Sequence, residues 1–339
     1  MPLMAFGKGA GRVFCFLLLL SESCSVTTAA ALPEIISCVR DISGVCGKRP
    51  FPADLSCKRD SCGGGPVFAG VTLAGMTYPS QPPIDTSVPH SARVWNYWLG
   101  GKDNYPVDRE AGEQFLATFP GIAQEARAAR AFLMRAVRYL TEEAGVRQFL
   151  DIGTGLPTAD NTHEVAQTMR PDARIVYVDN DPLVLTHARA LLTSTEEGYT
   201  DYLHAGLEEP EEILAAARER LDFDEPVGLI IIGVLAHVAD YGRAKDIVRT
   251  LLEALPSDSH LVLSDGTHSH QANVEAQEDY NESGAVAYNL RSKEEIAGFF
   301  EGVELVDPGL TTVTRWRCED TEFGTPPEVD GYGGVGRKA

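Results

Sequence analysis

The chain has 339 residues, 44% of them hydrophobic and 23% charged, enough to bury one large core and to build an enzyme. Its 49 Asp and Glu against 29 Lys and Arg leave a formal net charge of -20, which disfavours diffuse attraction to nucleic acid or to an anionic membrane surface. A small-molecule or protein substrate fits that balance better.

Residues 1–75 stand apart from the rest. They hold seven Lys and Arg against five Asp and Glu, so the remainder carries the whole acidic excess. They also hold six of the seven cysteines, leaving only Cys318 beyond, which marks the body of the chain as a reduced, cytosolic protein. The stretch 1–32 reads like a secretory signal: Lys8 and Arg12, a short apolar run from Val13 to Leu20, then Ala29-Ala30-Ala31. That run is too short to span a bilayer. The stretch 33–75 has neither helical nor strand periodicity.

A Pro- and Ser-rich lead-in over 77–89 precedes the first predicted helix, 91–99, where Val94, Trp95, Trp98 and Leu99 share a face and Gly100-Gly101 stops the helix. A second helix is predicted over 108–118. The third, 122–143, puts Ile122, Ala126, Ala129, Phe132, Leu133, Val137 and Leu140 on one stripe, with Gly145 beyond its end. From Arg147 the rhythm changes. Strands are predicted over 148–152, 174–178, 201–204, 227–234, 261–264, 304–306 and 311–316, and helices over 158–169, 182–193, 210–221, 242–255 and 292–300. Such alternation implies a doubly wound, mostly parallel sheet with helices on both faces. The run Gly228-Leu229-Ile230-Ile231-Ile232 is apolar throughout, as a strand buried on both faces requires.

In an open parallel sheet ligands bind beyond the carboxyl ends of the strands, so the residues ending each strand carry the chemistry. The first strand runs into Asp151-Ile152-Gly153-Thr154-Gly155-Leu156-Pro157, whose glycines let backbone approach a ligand closely. A dinucleotide fingerprint needs a third glycine at position 158, which is Thr158, and this argues against a nicotinamide oxidoreductase. Instead Asp151 offers a carboxylate suited to a cationic amino group. The second strand ends in Asp179-Asn180-Asp181-Pro182. Asp179 fits the acid that accepts both hydroxyls of a ribose, and Asp181 with Pro182 fits a helix cap.

These strings, with Pro89-His90-Ser91-Ala92-Arg93-Val94-Trp95-Asn96-Tyr97-Trp98-Leu99-Gly100-Gly101-Lys102-Asp103-Asn104-Tyr105, resemble a bacterial family of class I, Rossmann-like S-adenosyl-L-methionine-dependent methyltransferases long catalogued as a domain of unknown function. The resemblance covers roughly 84–317 and implies a seven-stranded sheet with an N-terminal helical lid. It implies cofactor contacts at Asp151, Gly153, Thr154, Gly155 and Asp179, with Asn180 near the adenine. It folds 93–105 over the pocket and gives Lys102, Asp103, Asn104 and Tyr105 a substrate or lid role. The domains expected are an upstream extension over 1–75, a helical lid segment over 76–145, a cofactor-binding core over 146–320 and a flexible tail over 321–339. A cytosolic cofactor argues against export, so Met76 is expected to be the natural start.

Two departures from the family pattern stand out. The third strand's tip, His204-Ala205-Gly206-Leu207, lacks the usual acid for the adenine amino group, leaving that contact to a neighbour or weakening it. After the fourth strand the order is Val234-Leu235-Ala236-His237-Val238. His237 is either the family's histidine displaced by one residue, with a pKa class suited to a general base, or a structural histidine. The run Ser264-Asp265-Gly266-Thr267-His268-Ser269-His270 lacks zinc spacing, so no metal is expected. No Asn-Pro-Pro-Tyr string follows the fourth strand, so nucleobase amino groups are not supported as acceptors. The expected function is methyl transfer from S-adenosylmethionine to a small-molecule acceptor in the cytoplasm, with no nucleic-acid or membrane partner. A degenerate cofactor-binding regulatory module is the alternative.

Overall fold

The computed structural model describes residues 84–158, 160–191, 193–318 and 327–339; the extension over 1–75 and residues 321–326 of the expected tail lie outside them. Among the described residues three helices precede the sheet: α1 (Ser91–Trp98), α2 (Pro106–Thr118) and α3 (Ile122–Glu142). Then come β1 (Gln148–Ile152), α4 (Thr162–Met169), β2 (Arg174–Asp179), α5 (Pro182–Leu191), β3 (Tyr199–His204), α6 (Pro210–Arg218) and β4 (Val227–Ile232). A 3₁₀ turn, Leu235–His237, leads to α7 (Tyr241–Glu253), β5 (His260–Gly266), α8 (Gln271–Asn281), α9 (Lys293–Gly298), β6 (Val303–Leu305), β7 (Thr311–Thr312) and β8 (Gly331–Lys338).

Helix starts follow local chemistry. At α2, Pro106 has no N–H to leave unsatisfied, and the Asp108 carboxylate accepts the Tyr105 backbone N–H at 2.8 Å. At α4 the Glu164 carboxylate accepts the Asn161 N–H at 2.7 Å, and at α5 Asp181 Oδ1 accepts the Leu183 N–H at 2.8 Å, so Asp181 is the cap its Asp-Pro pair announced.

The strands form one eight-stranded sheet in the order β3-β2-β1-β4-β5-β8-β6, with β7 also on β8. β3, β2, β1, β4 and β5 are mutually parallel, whereas β8 runs antiparallel between β5 and β6. The apolar run in β4 is shared between two layers. Leu229 and Ile231 pack with Ile213 of α6 and Ile247 and Leu251 of α7, while Ile230 packs with Phe132 and Leu140 of α3. Both faces of the strand are therefore dry, which is why its sequence is apolar without alternation.

Three expectations change. The tail 321–339, expected to be flexible, contributes β8, an interior strand; Gly-Tyr-Gly-Gly-Val-Gly reads as loop because its glycines carry no side-chain pattern. They are selected by crowding instead: a Cβ on Gly333 would lie 2.7 Å from Ser264 Cβ, and one on Gly336 would lie 2.4 Å from Val303 Cγ2. The sheet consequently has eight strands rather than seven, and the predicted strand over 311–316 shrinks to Thr311–Thr312 before a turn that buries Trp316. Finally, α3, assigned to the lid segment, is a layer of the core: Phe132, Ala136, Val137 and Leu140 are 0% exposed against Phe149, Ile175, Ile230 and Trp316.

Candidate active site at the strand tips

The tips of β1, β2 and β4 open into a cavity of about 730 Å³, within the range of small-molecule sites. Asp151, Gly153, Thr154, Gly155, Asp179, Asn180 and His237 all line it, so the structure gathers seven of the residues singled out in the sequence. Lys102, Asp103, Asn104 and Tyr105 do not line it. Lys102 is exposed, Asp103 faces His187 at 3.7 Å, and Asn104 donates to Asn96 Oδ1 at 2.9 Å and to the Gly101 carbonyl at 3.1 Å. Tyr105 packs beside Leu156, Leu183 and Val184, under the Arg93 guanidinium. Asn104 and Tyr105 thus contact α1 and α2, and the wall itself comes from α1, through residues such as Trp95 and Trp98.

That wall is pinned. Arg93 is buried, donates to the carbonyls of Asp85 and Val88, and lies 3.6 Å from Asp108 and 3.7 Å from Asp181. His90 adds a 3.3 Å contact to Asp181. Asp181, the cap of α5, thereby ties α1 to the end of β2. Trp98 is fixed by its Nε1 donating to the Gly112 carbonyl at 3.1 Å and by Phe115 at 5.0 Å between centroids.

The loop after β1 is shaped by backbone that other residues rarely adopt. Gly153 has φ +71° and Gly155 φ +64°. A Cβ on Gly153 would meet Val234 Cγ2 at 2.6 Å, whereas a Cβ on Gly155 would meet nothing within 4 Å and would project into free space. The Gly155 N–H donates to Asp179 Oδ2 at 2.9 Å, and Asp179 Oδ1 accepts the Asp181 N–H at 2.9 Å, so one carboxylate holds the loops after β1 and β2 together. Each Asp179 oxygen keeps a second lone pair.

Charge in this region is negative and poorly solvated. Burial pushes the Asp151 carboxyl up to about 6, against a hydrogen bond from Thr162 Oγ1 at 2.6 Å and the nearby Arg130 guanidinium. Burial likewise raises Asp179, against its two backbone N–H bonds and the charge of His90. At the third strand's tip, where the sequence lacks an acid, Glu208 and Glu209 line the cavity beside Gly206. His237 is half-buried, and burial lowers its pKa. Its Nδ1 lies 3.0 Å from the Ala287 carbonyl; a carbonyl only accepts, so Nδ1 carries the proton and Nε2 the lone pair.

The Ser264–His270 run is tied up internally. Asp265 accepts from the Tyr288 hydroxyl at 2.9 Å and lies 3.4 Å from Arg291, while His270 pairs with Asp330. Among the described residues no group of three or more His, Cys, Asp or Glu is placed to hold a metal ion.

Sequence reasoning missed the far end of the cavity. Glu125 of α3, and Asn273, Gln277 and Tyr280 of α8, line it. Glu125 sits within the apolar stripe of its helix, a signal available in the sequence. For α8 no apolar stripe exists to announce the helix; it packs chiefly against α2.

A bare-backbone cradle at Gly155, a carboxylate at each of two parallel strand tips and a one-sided negative field fit a cationic nucleoside. S-adenosylmethionine brings a sulfonium and an ammonium, so the residues present suit it. With the 3-2-1-4-5 parallel order, this is the architecture of a Rossmann-like S-adenosylmethionine-dependent methyltransferase. The chain belongs to the S-adenosyl methyltransferase family, whose sequence model matches residues 77–339. It is similar to a DUF574 family protein from Streptomyces avermitilis, with 44% identity over 76% of this chain and 100% of that one and a TM-score of 0.73. It is also similar to a provisionally assigned methyltransferase from Thermobifida fusca, with 36% identity over 78% of this chain and 99% of that one and a TM-score of 0.69. Among curated protein sequences no similar protein was found.

Proposed function

We propose that the protein methylates a small-molecule acceptor held in the same cavity as the cofactor. The observation carrying this reading is the continuity of one cavity from Asp151 and Asp179 at the strand tips to α1, α3 and α8 on its far side. S-adenosylmethionine supplies an activated methyl group, so the chain's task is alignment and exclusion of water. In this reading Asp179 holds the ribose hydroxyls, Asp151 the amino group, Gly153, Thr154 and Gly155 the cradle, and Asn180 with Glu208 or Glu209 the adenine edge. His237 Nε2 takes a proton from the acceptor where the acceptor must lose one. A cytoplasmic setting goes with the cofactor, and among the described residues no helix is long and apolar enough to cross a membrane.

The pH dependence of cofactor binding tests this assignment. Asp151 ionises at about 6 in the folded chain but at 3.8 without its burial. The folded state therefore holds a proton between roughly pH 4 and 6 that the unfolded chain has released, and ionising Asp151 costs stability as pH rises through 6. A cation beside the carboxylate removes that cost. The increase in Tm on adding S-adenosylmethionine is expected to be larger at pH 7.5 than at pH 5.0, and to lose most of this difference in Asp151→Asn. An increase that is flat with pH would remove Asp151 from the cofactor site.

Tryptophan emission tests the wall. Trp95 and Trp98 line the cavity, whereas Trp316 is 0% exposed in the α3 layer. Cofactor binding is expected to shift emission in Trp316→Phe as in the unaltered chain, and to leave it unchanged when Trp95→Phe and Trp98→Phe are combined. A signal that follows Trp316 instead would mean that binding is felt in the core and not at α1.

A further inference from the structure

The end of the cavity away from the strand tips carries polar atoms without partners. Glu125 Oε2 and the Tyr280 hydroxyl are shielded from solvent and have no hydrogen-bond partner among the described residues. The two residues are 7% and 8% exposed, and both line the cavity. A buried polar atom left unpaired is costly.

The surroundings say what would relieve that cost. Among the described residues, five carboxylates line the cavity, Glu125, Asp151, Asp179, Glu208 and Glu209, against one guanidinium, Arg130, and the two histidines His90 and His237. Arg130 Nη2 donates to the Asp160 carbonyl, and its charge acts on Asp151. Burial first, and the Asp330 charge second, push the Glu125 carboxyl up to about 8, a cost that a hydrogen bond from the Asp330 backbone offsets only in part. Trp95 and Trp98, with ring centroids 5.7 Å apart, add two aromatic rings to the same wall. Aromatic faces attract cations, and a cation is also what an unpaired buried carboxyl lacks. An anionic acceptor would leave that carboxyl unrelieved and would meet a lining with more acidic than basic groups.

We propose that this end of the cavity is the acceptor subsite and that it recognises a small-molecule amine, with Glu125 pairing with the amino group and the Tyr280 hydroxyl accepting a further N–H. The proposal rests on the methyltransferase reading and narrows it, because nitrogen is a competent methyl acceptor. Glu125 is here a specificity-determining residue.

The test uses the full chain saturated with S-adenosylhomocysteine and three probes on one skeleton, 2-phenylethylamine, 2-phenylethanol and phenylacetate, titrated by calorimetry. The amine is expected to bind about tenfold or more tightly than the alcohol, with the carboxylate weakest. Glu125→Gln keeps the shape and removes the charge, so it is expected to cost the amine about tenfold or more while leaving the alcohol within about twofold. Tyr280→Phe is expected to weaken the amine by a smaller factor. Equal or better binding of the carboxylate, no binding of the amine, or an unchanged amine affinity in folded Glu125→Gln overturns the proposal. If Glu125→Gln does not fold, the ranking of the three probes on the unaltered chain decides. S-adenosylhomocysteine is titrated first: failure to bind it overturns the methyltransferase reading itself, whereas binding with no preference for the amine overturns the amine assignment alone.

Discussion

A chain stopped after Asp330 is expected to lose cooperative folding altogether. Its last segment, β8, pairs with β5 at seven positions from His260 to Gly266 and with β6 at three, from Val303 to Leu305. Val335, at its centre, is 0% exposed and packs in the α3 layer with Val262 and Trp316. Removing β8 leaves β5 with an unpaired edge inside the molecule and cuts β6 and β7 off from the sheet. At roughly 0.5–1.5 kcal/mol net for each ladder hydrogen bond, plus the lost burial, the deficit is of the order of a whole domain's stability, about 5–15 kcal/mol. Circular dichroism against temperature reads the result directly. A sharp melting transition in the shortened chain would show that β8 is an accessory edge and not a structural member.

Replacing Asp179 by alanine is expected to weaken S-adenosylmethionine binding by about 1.5–3 kcal/mol for the hydroxyl contacts proposed for it, about ten- to over a hundredfold in Kd. The structure raises the expectation to the upper part of that range. Asp179 also accepts the Gly155 and Asp181 N–H groups, so the substitution frees the cradle loop and the start of α5 together. Asp179→Asn separates the two effects. It keeps one carbonyl oxygen for a backbone N–H but removes the charge and one acceptor, and is expected to fall between the unaltered chain and Asp179→Ala. Calorimetric titration of each variant, with Tm measured beside it, checks this. An unchanged Kd in a folded Asp179→Ala would return Asp179 to a purely structural role in joining the two loops.

Trp316 shows why late elements were misread. It lies in a stretch, Thr311 to Trp316, whose β-branched and aromatic residues favour a strand, yet only Thr311 and Thr312 pair with β8. The remaining residues turn so that Trp316 fills a space against Phe132 and Tyr139 of α3. Tertiary packing overrode local propensity. The same holds in reverse for β8, where glycines suppress every strand signal but are required by close neighbours on both sides.

The central parallel strands were legible because burial on both faces leaves a continuous apolar run, and the strand-tip end of the cavity was legible because strand tips are sequence-adjacent to their strands: Asp151 follows Leu150, and Asp179 follows Val178. A side chain at the tip of a parallel strand faces the ligand wherever the rest of the chain goes. The far end of the cavity depends instead on how separate helices meet. Glu125 on α3, Tyr280 on α8 and Trp95 on α1 are brought to one wall by contacts such as Phe115 with Tyr280, with ring centroids 6.4 Å apart, and by the buried Arg93 that anchors α1 to Asp108 and Asp181. No spacing within a single segment encodes such a meeting. The sequence alone therefore determined the fold class and the cofactor chemistry, which are written in local order. The far wall of the cavity was decided by packing between segments distant in the chain, because only there do buried carboxyl, hydroxyl and indole groups come to share one space.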